Sequence, residues 1–266
     1  MHADLKDQLT SVNVVGIPVT ALDFQSQITL MMQWAKQRDS RSVCVANVHM
    51  LVEAHRDAAF AKVLKQADLV TPDGMPLVWM LRWLGNPRQN RVAGLDIMLS
   101  VCDRSVEQDI SIFLLGSEPE VLQRMTTKFH QEFPTLKIAG AESLPFRPLT
   151  EAENVAIVEK INQSGAGLVL VSLGCPKQEA WMAKHQGKVQ AVMIGLGGAF
   201  PVYAGLKKRA PRLIQGAGLE WLYRLIQEPR RLWWRYSSTI PMFLWLALKQ
   251  LWSSKPDLNE DLVEIN

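Results

Sequence analysis

Short β-branched runs alternate with longer stretches of helical period along most of this chain, and few folds accept that alternation. The runs fall at 43–46 (VCVA), 68–70 (DLV), 110–115 (ISIFLL), 137–139, 167–172 (GLVLVS) and 189–194 (VQAVMI). Between them, residues 22–37, 49–66, 75–84, 94–106, 118–132, 150–163 and 176–186 carry helical patterns. Within 118–132, Val121, Leu122, Met125 and Phe129 share one face, and Ser117 ahead of Glu118-Pro119-Glu120 reads as an N-cap with proline in the first turn. Repeated βα units predict an α/β fold, a mostly parallel sheet covered by helices. An extended piece at 12–18 is expected to add a hairpin at the sheet edge.

The 266 residues, 48% apolar and 21% charged, hold one large α/β domain or a domain with an appendage. Cys44, Cys102 and Cys175 lie far apart with no CxxC pair, which points to a reducing compartment rather than a disulfide framework or zinc knot. The opening MHADLKDQLTSVNVVG lacks the basic-then-apolar pattern of a signal peptide, so a cytoplasmic location is expected.

The character changes near Gly205. From there to Lys249, nine Lys or Arg stand against Glu220 and Glu228, a local balance of +7 in a chain whose net charge is +3. Trp221, Trp233, Trp234, Trp245 and Trp252, five of the nine tryptophans, lie in the same stretch. Residues 1–204 therefore read as the α/β core and 205–266 as a basic, Trp-rich helical appendage. That mixture suits an anionic interface, or else a solvated helix with a buried Trp stripe. Because nothing basic and aromatic appears in the core, a membrane is preferred over nucleic acid. The apolar run 240–248 falls far short of the roughly 20 residues a spanning helix needs. It is expected to lie on a membrane rather than cross it, and a cut after Tyr236 should then leave a folded protein.

Ligand sites in open parallel sheets collect at the carboxyl ends of strands, and four polar clusters sit at such ends. They are Asn47-Val48-His49, Thr71-Pro72-Asp73-Gly74, the stretch from Gly174 through Lys177 and Gln178 to Glu179, and a loop holding Gly195, Gly197, Gly198 and Phe200. Asp73, in a tight turn at the mouth of the sheet, is either a general base or the cap of the helix that begins near Met75. The GLGGAF loop either lets backbone approach a diphosphate or is simply a tight turn. No D-x-D spacing and no HxH or HxxxH pair occurs, so charge on a leaving diphosphate is expected to fall to Arg91, Lys177, the C-terminal arginines or helix N-termini. No metal or other cofactor is expected.

Taken in order, ADLVTPDGMPLVW, RVAGLDIM, SLGCPKQE, GLGGAFPVYAGLKKRAP and GLEWLYRLIQEPRRLWWRY resemble the WecG/TagA/CpsF glycosyltransferases from about Val43 to Tyr236. The resemblance implies an inverting, metal-independent transferase with a Rossmann-like core. It would use a UDP-sugar donor and an undecaprenyl-pyrophosphate-linked acceptor, peripherally on the inner face of the cell membrane. By the same resemblance Asp73 matches the catalytic base, Asn47 the Asn of a Thr-x-Asn motif, Gln178 the Gln of PKQE, and Arg91 a further cleft arginine. Arg224, Arg230, Arg231 and Arg235 match an appendage that closes over the site and meets the lipid pyrophosphate. Two departures stand out: Val45 replaces a usual Thr, and Phe200-Pro201-Val202-Tyr203 replaces an FDF-type sequence. Members carry N-acetylmannosamine, its uronic acid, or glucose. The ANVHMLVEAH stretch is most similar to the exopolysaccharide glucosyltransferase branch (GumM-like), so UDP-glucose is the favoured donor, with N-acetylmannosamine and N-acetylmannosaminuronic acid as alternatives. A homo-oligomer stays open, as do two rivals of other classes. A nicotinamide-dependent oxidoreductase would need a third loop glycine, and a non-catalytic membrane-binding module would need only the appendage.

Overall fold

The computed structural model describes residues 10–253 apart from Phe146. The opening read for a leader lies largely outside that range, as does the end of the appendage. A short hairpin, β1 (Ser11–Val14) and β2 (Ile17–Thr20), leads into α1 (Phe24–Gln37), β3 (Arg41–Ala46), α2 (Val48–Arg56), α3 (Ala58–Gln66), β4 (Leu69–Pro72) and α4 (Met75–Trp83). Then follow α5 (Gly94–Gln108), β5 (Ile112–Gly116), α6 (Pro119–Glu132), β6 (Ile138–Glu142), α7 (Glu151–Ser164), β7 (Leu168–Ser172), α8 (Lys177–His185) and β8 (Val192–Gly195). Four helices finish the described chain: α9 (Ala199–Tyr203), α10 (Arg212–Gly216), α11 (Glu220–Gln227) and α12 (Pro229–Ser253).

Six strands form one sheet in the order β4-β3-β8-β7-β5-β6, every pairing parallel. Helices cover both faces, so the inner strands are apolar without alternation. Along β7, Val169 and Val171 enter one apolar cluster while Leu168 and Leu170 enter the other. The α/β Rossmann-like expectation holds. The hairpin is present too, but as its own two-stranded sheet; it meets the edge strand β4 through the Val70 N–H, which donates to Thr20 Oγ1 at 3.0 Å.

Two local expectations need correction. The pattern at 49–66 is two helices, because the Asp57 carboxylate accepts from the N–H groups of Ala59 (2.8 Å) and Phe60 (3.2 Å) and so restarts the chain as α3. Ser117 does not cap α6. It lies at φ +69° with its N–H on Ser172 O, and Glu118 takes the cap position without a side-chain bond.

The long helix α12 is packed partly into the protein. Phe243 and Ala247 enter the apolar cluster on one face of the sheet, and Leu246 and Thr239 are buried. Arg56 donates to Ser238 O at 3.2 Å, and Gln250 closes on the hairpin, donating to Asn13 O (2.6 Å) and accepting from Val15 N–H (2.7 Å). This packing argues against the expectation that the chain could be cut after Tyr236 and stay folded, because that cut removes core side chains. Among the described residues no helix is long and apolar enough to cross a membrane.

Candidate active site

Parallel pairing brings the carboxyl ends of β3, β4, β7 and β8 to one edge of the sheet, and the loops after them carry the polar clusters. The Asp73 N–H donates to Ala46 O at 2.9 Å, which sets the carboxylate-bearing turn beside Asn47. Asn47 is the N-cap of α2, its Oδ1 accepting from Met50 N–H at 3.2 Å. A Cβ on Gly74 would lie 3.8 Å from the Asn47 backbone, so the two turns abut.

Asp73 is not a helix cap: Gly74 holds that position in α4, with no side-chain bond to the helix. Its carboxyl instead feels the charges of two guanidinium groups and one carboxylate. Burial pushes its pKa up from 3.8 to about 6; Arg224 pulls it down, Glu220 pushes it up, and Arg91 and the Gly94 N–H pull it down. Burial outweighs the rest, leaving a base stronger than an ordinary aspartate and still ionised at neutral pH.

Glu220, which the sequence analysis counted only as a charge, ties these groups together. One oxygen accepts from Arg91 Nη1 at 2.5 Å and the other from Arg224 Nη2 at 2.6 Å. Arg91 Nη2 also donates to Gln215 Oε1 at 2.8 Å. The loop before α5 is thus fastened to α10 and α11. The spacing of Glu220 and Arg224, four apart on a helix, was the readable signal for the pairing. Tyr236 was also missed; its half-buried ring meets Trp221 edge-on at 6.0 Å, and burial raises its phenol pKa against the pull of Arg224.

The glycine loop after β8 is shaped by Gln178. A Cβ on Gly197 would come within 2.9 Å of Gln178 Oε1, and one on Gly195 within 3.1 Å of its Nε2. Gln178 is buried, donates to Glu179 Oε1 at 2.7 Å and has no partner on Oε1. Glu179 is fully buried, and burial raises its pKa. Gly198 is exposed and lies under Arg224, whose Nη1 would sit 3.5 Å from a Cβ there. Lys177 heads α8 with an exposed side chain. Val45 is buried, its methyl 3.4 Å from where a Gly94 Cβ would lie, so the position lacking the family hydroxyl forms an apolar wall.

The four appendage arginines do not act together. Arg224 alone reaches Asp73. Arg231 pairs with Glu228 at 2.6 Å, with Lys207 on the other oxygen at 2.8 Å. Arg230 is exposed. Arg235 lies over the start of α2, where burial first and then its charge press the His49 pKa down to about 4. Among the described residues no three His, Cys, Asp or Glu side chains converge as a metal site.

A buried carboxyl with a raised pKa at the carboxyl edge of a parallel sheet, with two guanidinium groups acting on it, fits a group-transfer enzyme of the α/β class. Sequence comparison makes that specific: residues 12–257 match the Glycosyl transferase WecG/TagA/CpsF family, and the chain belongs to it. It is a glycosyltransferase, and the oxidoreductase and non-catalytic readings fall away. Among its relatives is an N-acetylglucosaminyldiphosphoundecaprenol N-acetyl-beta-D-mannosaminyltransferase of Bacillus spizizenii, 32% identical over 90% of this chain and 93% of its own. A protein of the same name from Bacillus subtilis is 31% identical over 80% of this chain and 81% of its own. Both names give N-acetylmannosaminyl, not glucosyl, as the group transferred, so the lean toward UDP-glucose drawn from ANVHMLVEAH finds no support here and the N-acetylmannosamine alternative is the better backed.

Proposed function

We propose that this chain transfers N-acetylmannosamine from a UDP-sugar onto N-acetylglucosamine carried on a polyprenyl diphosphate, with inversion and without a metal ion, at the inner leaflet of the membrane. The observation that carries the chemistry is Asp73, which caps no helix and whose pKa burial pushes up to about 6 against the pull of Arg224 and Arg91. The sugar and acceptor rest on the names of the two relatives.

In this reading the acceptor hydroxyl attacks the anomeric carbon while Asp73 takes its proton, and the carbon–oxygen bond to UDP breaks with the electron pair leaving on the diphosphate. Proton removal by a positioned carboxylate contributes ~10²–10⁴-fold. A single displacement converts an α-linked donor into a β-glycoside, which agrees with the β-D-mannosaminyl product in the relatives' names. Arg224 and Arg91 present planar donors to diphosphate oxygens, Asn47 keeps its amide nitrogen clear of the capping bond that its Oδ1 accepts, and the glycine loop shaped by Gln178 (Gly195, Gly197 and Gly198) runs beneath Arg224.

Membrane contact is assigned to the 205–266 appendage, as a unit set against the 1–204 core. Trp233 (59% exposed), Trp234 (79%), Trp245 (54%) and Trp252 (84%) stand out from α12 among its arginines, a composition suited to the headgroup level. Arg230 and Arg231 belong to this contact rather than to the chemistry.

A donor screen tests the assignment. Full-length protein with a synthetic polyprenyl-diphosphate N-acetylglucosamine should consume UDP-N-acetylmannosamine at least tenfold faster than UDP-glucose or the uronic acid donor. Preference for UDP-glucose would restore the exopolysaccharide reading, and turnover with none of the three would overturn the proposal.

A further inference from the structure

Glu220 sits where two arginines and a catalytic carboxyl meet, and nothing said so far gives it a task. Its two oxygens are fully engaged, one by Arg91 Nη1 at 2.5 Å and one by Arg224 Nη2 at 2.6 Å. The Glu220 side chain is 21% exposed and that of Arg91 15%, so their charge-assisted bond lies in partly dry surroundings and is stronger than a surface ion pair, whereas Arg224, 44% exposed, meets Glu220 as a helix-surface pair. The pairing is also non-local: Arg91 precedes α5 in the core, whereas Glu220 and Arg224 belong to α11.

The arrangement has a consequence for Asp73. Among the described residues, the charged groups that face Asp73 are Arg224 and Glu220 from α11 and Arg91 from the loop ahead of α5, and the Gly94 N–H at the start of α5 donates to it. The two arginines draw the Asp73 pKa down, and without a counter-charge they would hold the carboxyl more firmly ionised and make it a poorer proton acceptor. Glu220 offsets that, bringing the four side chains to near balance.

We infer that Glu220 is a positioning residue for the transfer reaction: it holds Arg91 and Arg224 at the cleft for the donor diphosphate while cancelling their charge at Asp73, and so keeps Asp73 an effective base. The inference rests on the reading of Asp73 as the base, and it adds a residue that acts only through its neighbours. It also explains why a segment rich in cations keeps an acidic residue at the point where it closes on the core.

The test reads the carboxyl directly. In full-length protein with ¹³C-labelled aspartate, the Asp73 resonance is assigned by its loss in Asp73→Asn and titrated by NMR. Glu220→Gln should move the Asp73 midpoint down by about one pH unit or more. Glu220→Asp, which keeps the charge, should leave it nearer to wild type than Glu220→Gln does. Arg224→Gln should move it the other way, upward, and this variant carries the test if Glu220→Gln does not fold. In transfer assays the acid limb of kcat/KM should follow the same order. An unmoved midpoint in folded Glu220→Gln, or a midpoint that fails to rise in Arg224→Gln, overturns the inference. The titration needs no sugar transfer, so a wrong donor or acceptor in the proposed function would leave its outcome intact. Conversely, a titration that behaves as expected with an activity that ignores it would count against Asp73 as the base.

Discussion

A carboxyl pushed up to about 6 weighs on the fold at neutral pH. Asp73 ordinarily titrates at 3.8, so the folded protein favours its protonated form. Its contribution to stability is fully present below 3.8 and is lost as pH rises through about 6. Asp73→Asn should therefore melt at least as high as wild type at pH 8, by a few degrees more, with the advantage gone near pH 4. A lower melting temperature at pH 8 would mean that the side chain holds the turn together after all. In the wild type, kcat/KM should fall as pH drops through about 6, because the base must be ionised to accept a proton. Asp73 was legible in the sequence as a choice between base and cap; the structure removes the cap, because Gly74 takes that position, and the base is the reading proposed. Glu220 was legible only as the i,i+4 partner of Arg224; its bond to Arg91, 129 positions away, was not, because no local pattern reports a contact of that range.

At the scale of elements, βα alternation predicted every strand of the main sheet, since buried parallel strands are written as short apolar runs. What it missed turned on single capping choices, Asp57 splitting one helix into two and Ser117 taking a positive φ instead of a cap. The tail was the harder segment. Its apolar run faces two ways: Phe243, Leu246 and Ala247 are buried in the protein, whereas Leu244, Trp245 and Leu248 are exposed. Truncation after Tyr236 should thus abolish the cooperative melting transition, and point variants are the proper probe of membrane contact. Trp233→Ala/Trp234→Ala should weaken flotation with phosphatidylglycerol liposomes at low and high salt alike. Arg230→Ala/Arg231→Ala should weaken it mainly at low salt, each arginine being worth about 1 kcal/mol near an anionic leaflet. Unchanged flotation of both pairs would make the tail ordinary packing.

For the whole molecule, the sheet gathers the polar loops at one edge and the C-terminal helices cover them, so the site is assembled from both ends of the chain. Sequence order hides that assembly: Asn47, Asp73, Gln178 and Arg224 are far apart along the chain and meet only through the strand order β4-β3-β8-β7 and the closure of α11. In the proposed reading guanidinium groups, not a metal ion, meet the donor diphosphate, so chelation by EDTA should leave transfer within about twofold, and activity lost to chelator and restored by Mg²⁺ or Mn²⁺ would refute the metal-independent reading. The most direct measurement is the turnover of Asp73→Asn with UDP-N-acetylmannosamine and the polyprenyl-diphosphate acceptor, alongside UDP binding by calorimetry. The account predicts that kcat falls by ~10²-fold or more while UDP affinity is nearly unchanged; a variant that keeps over about a third of wild-type turnover would contradict it.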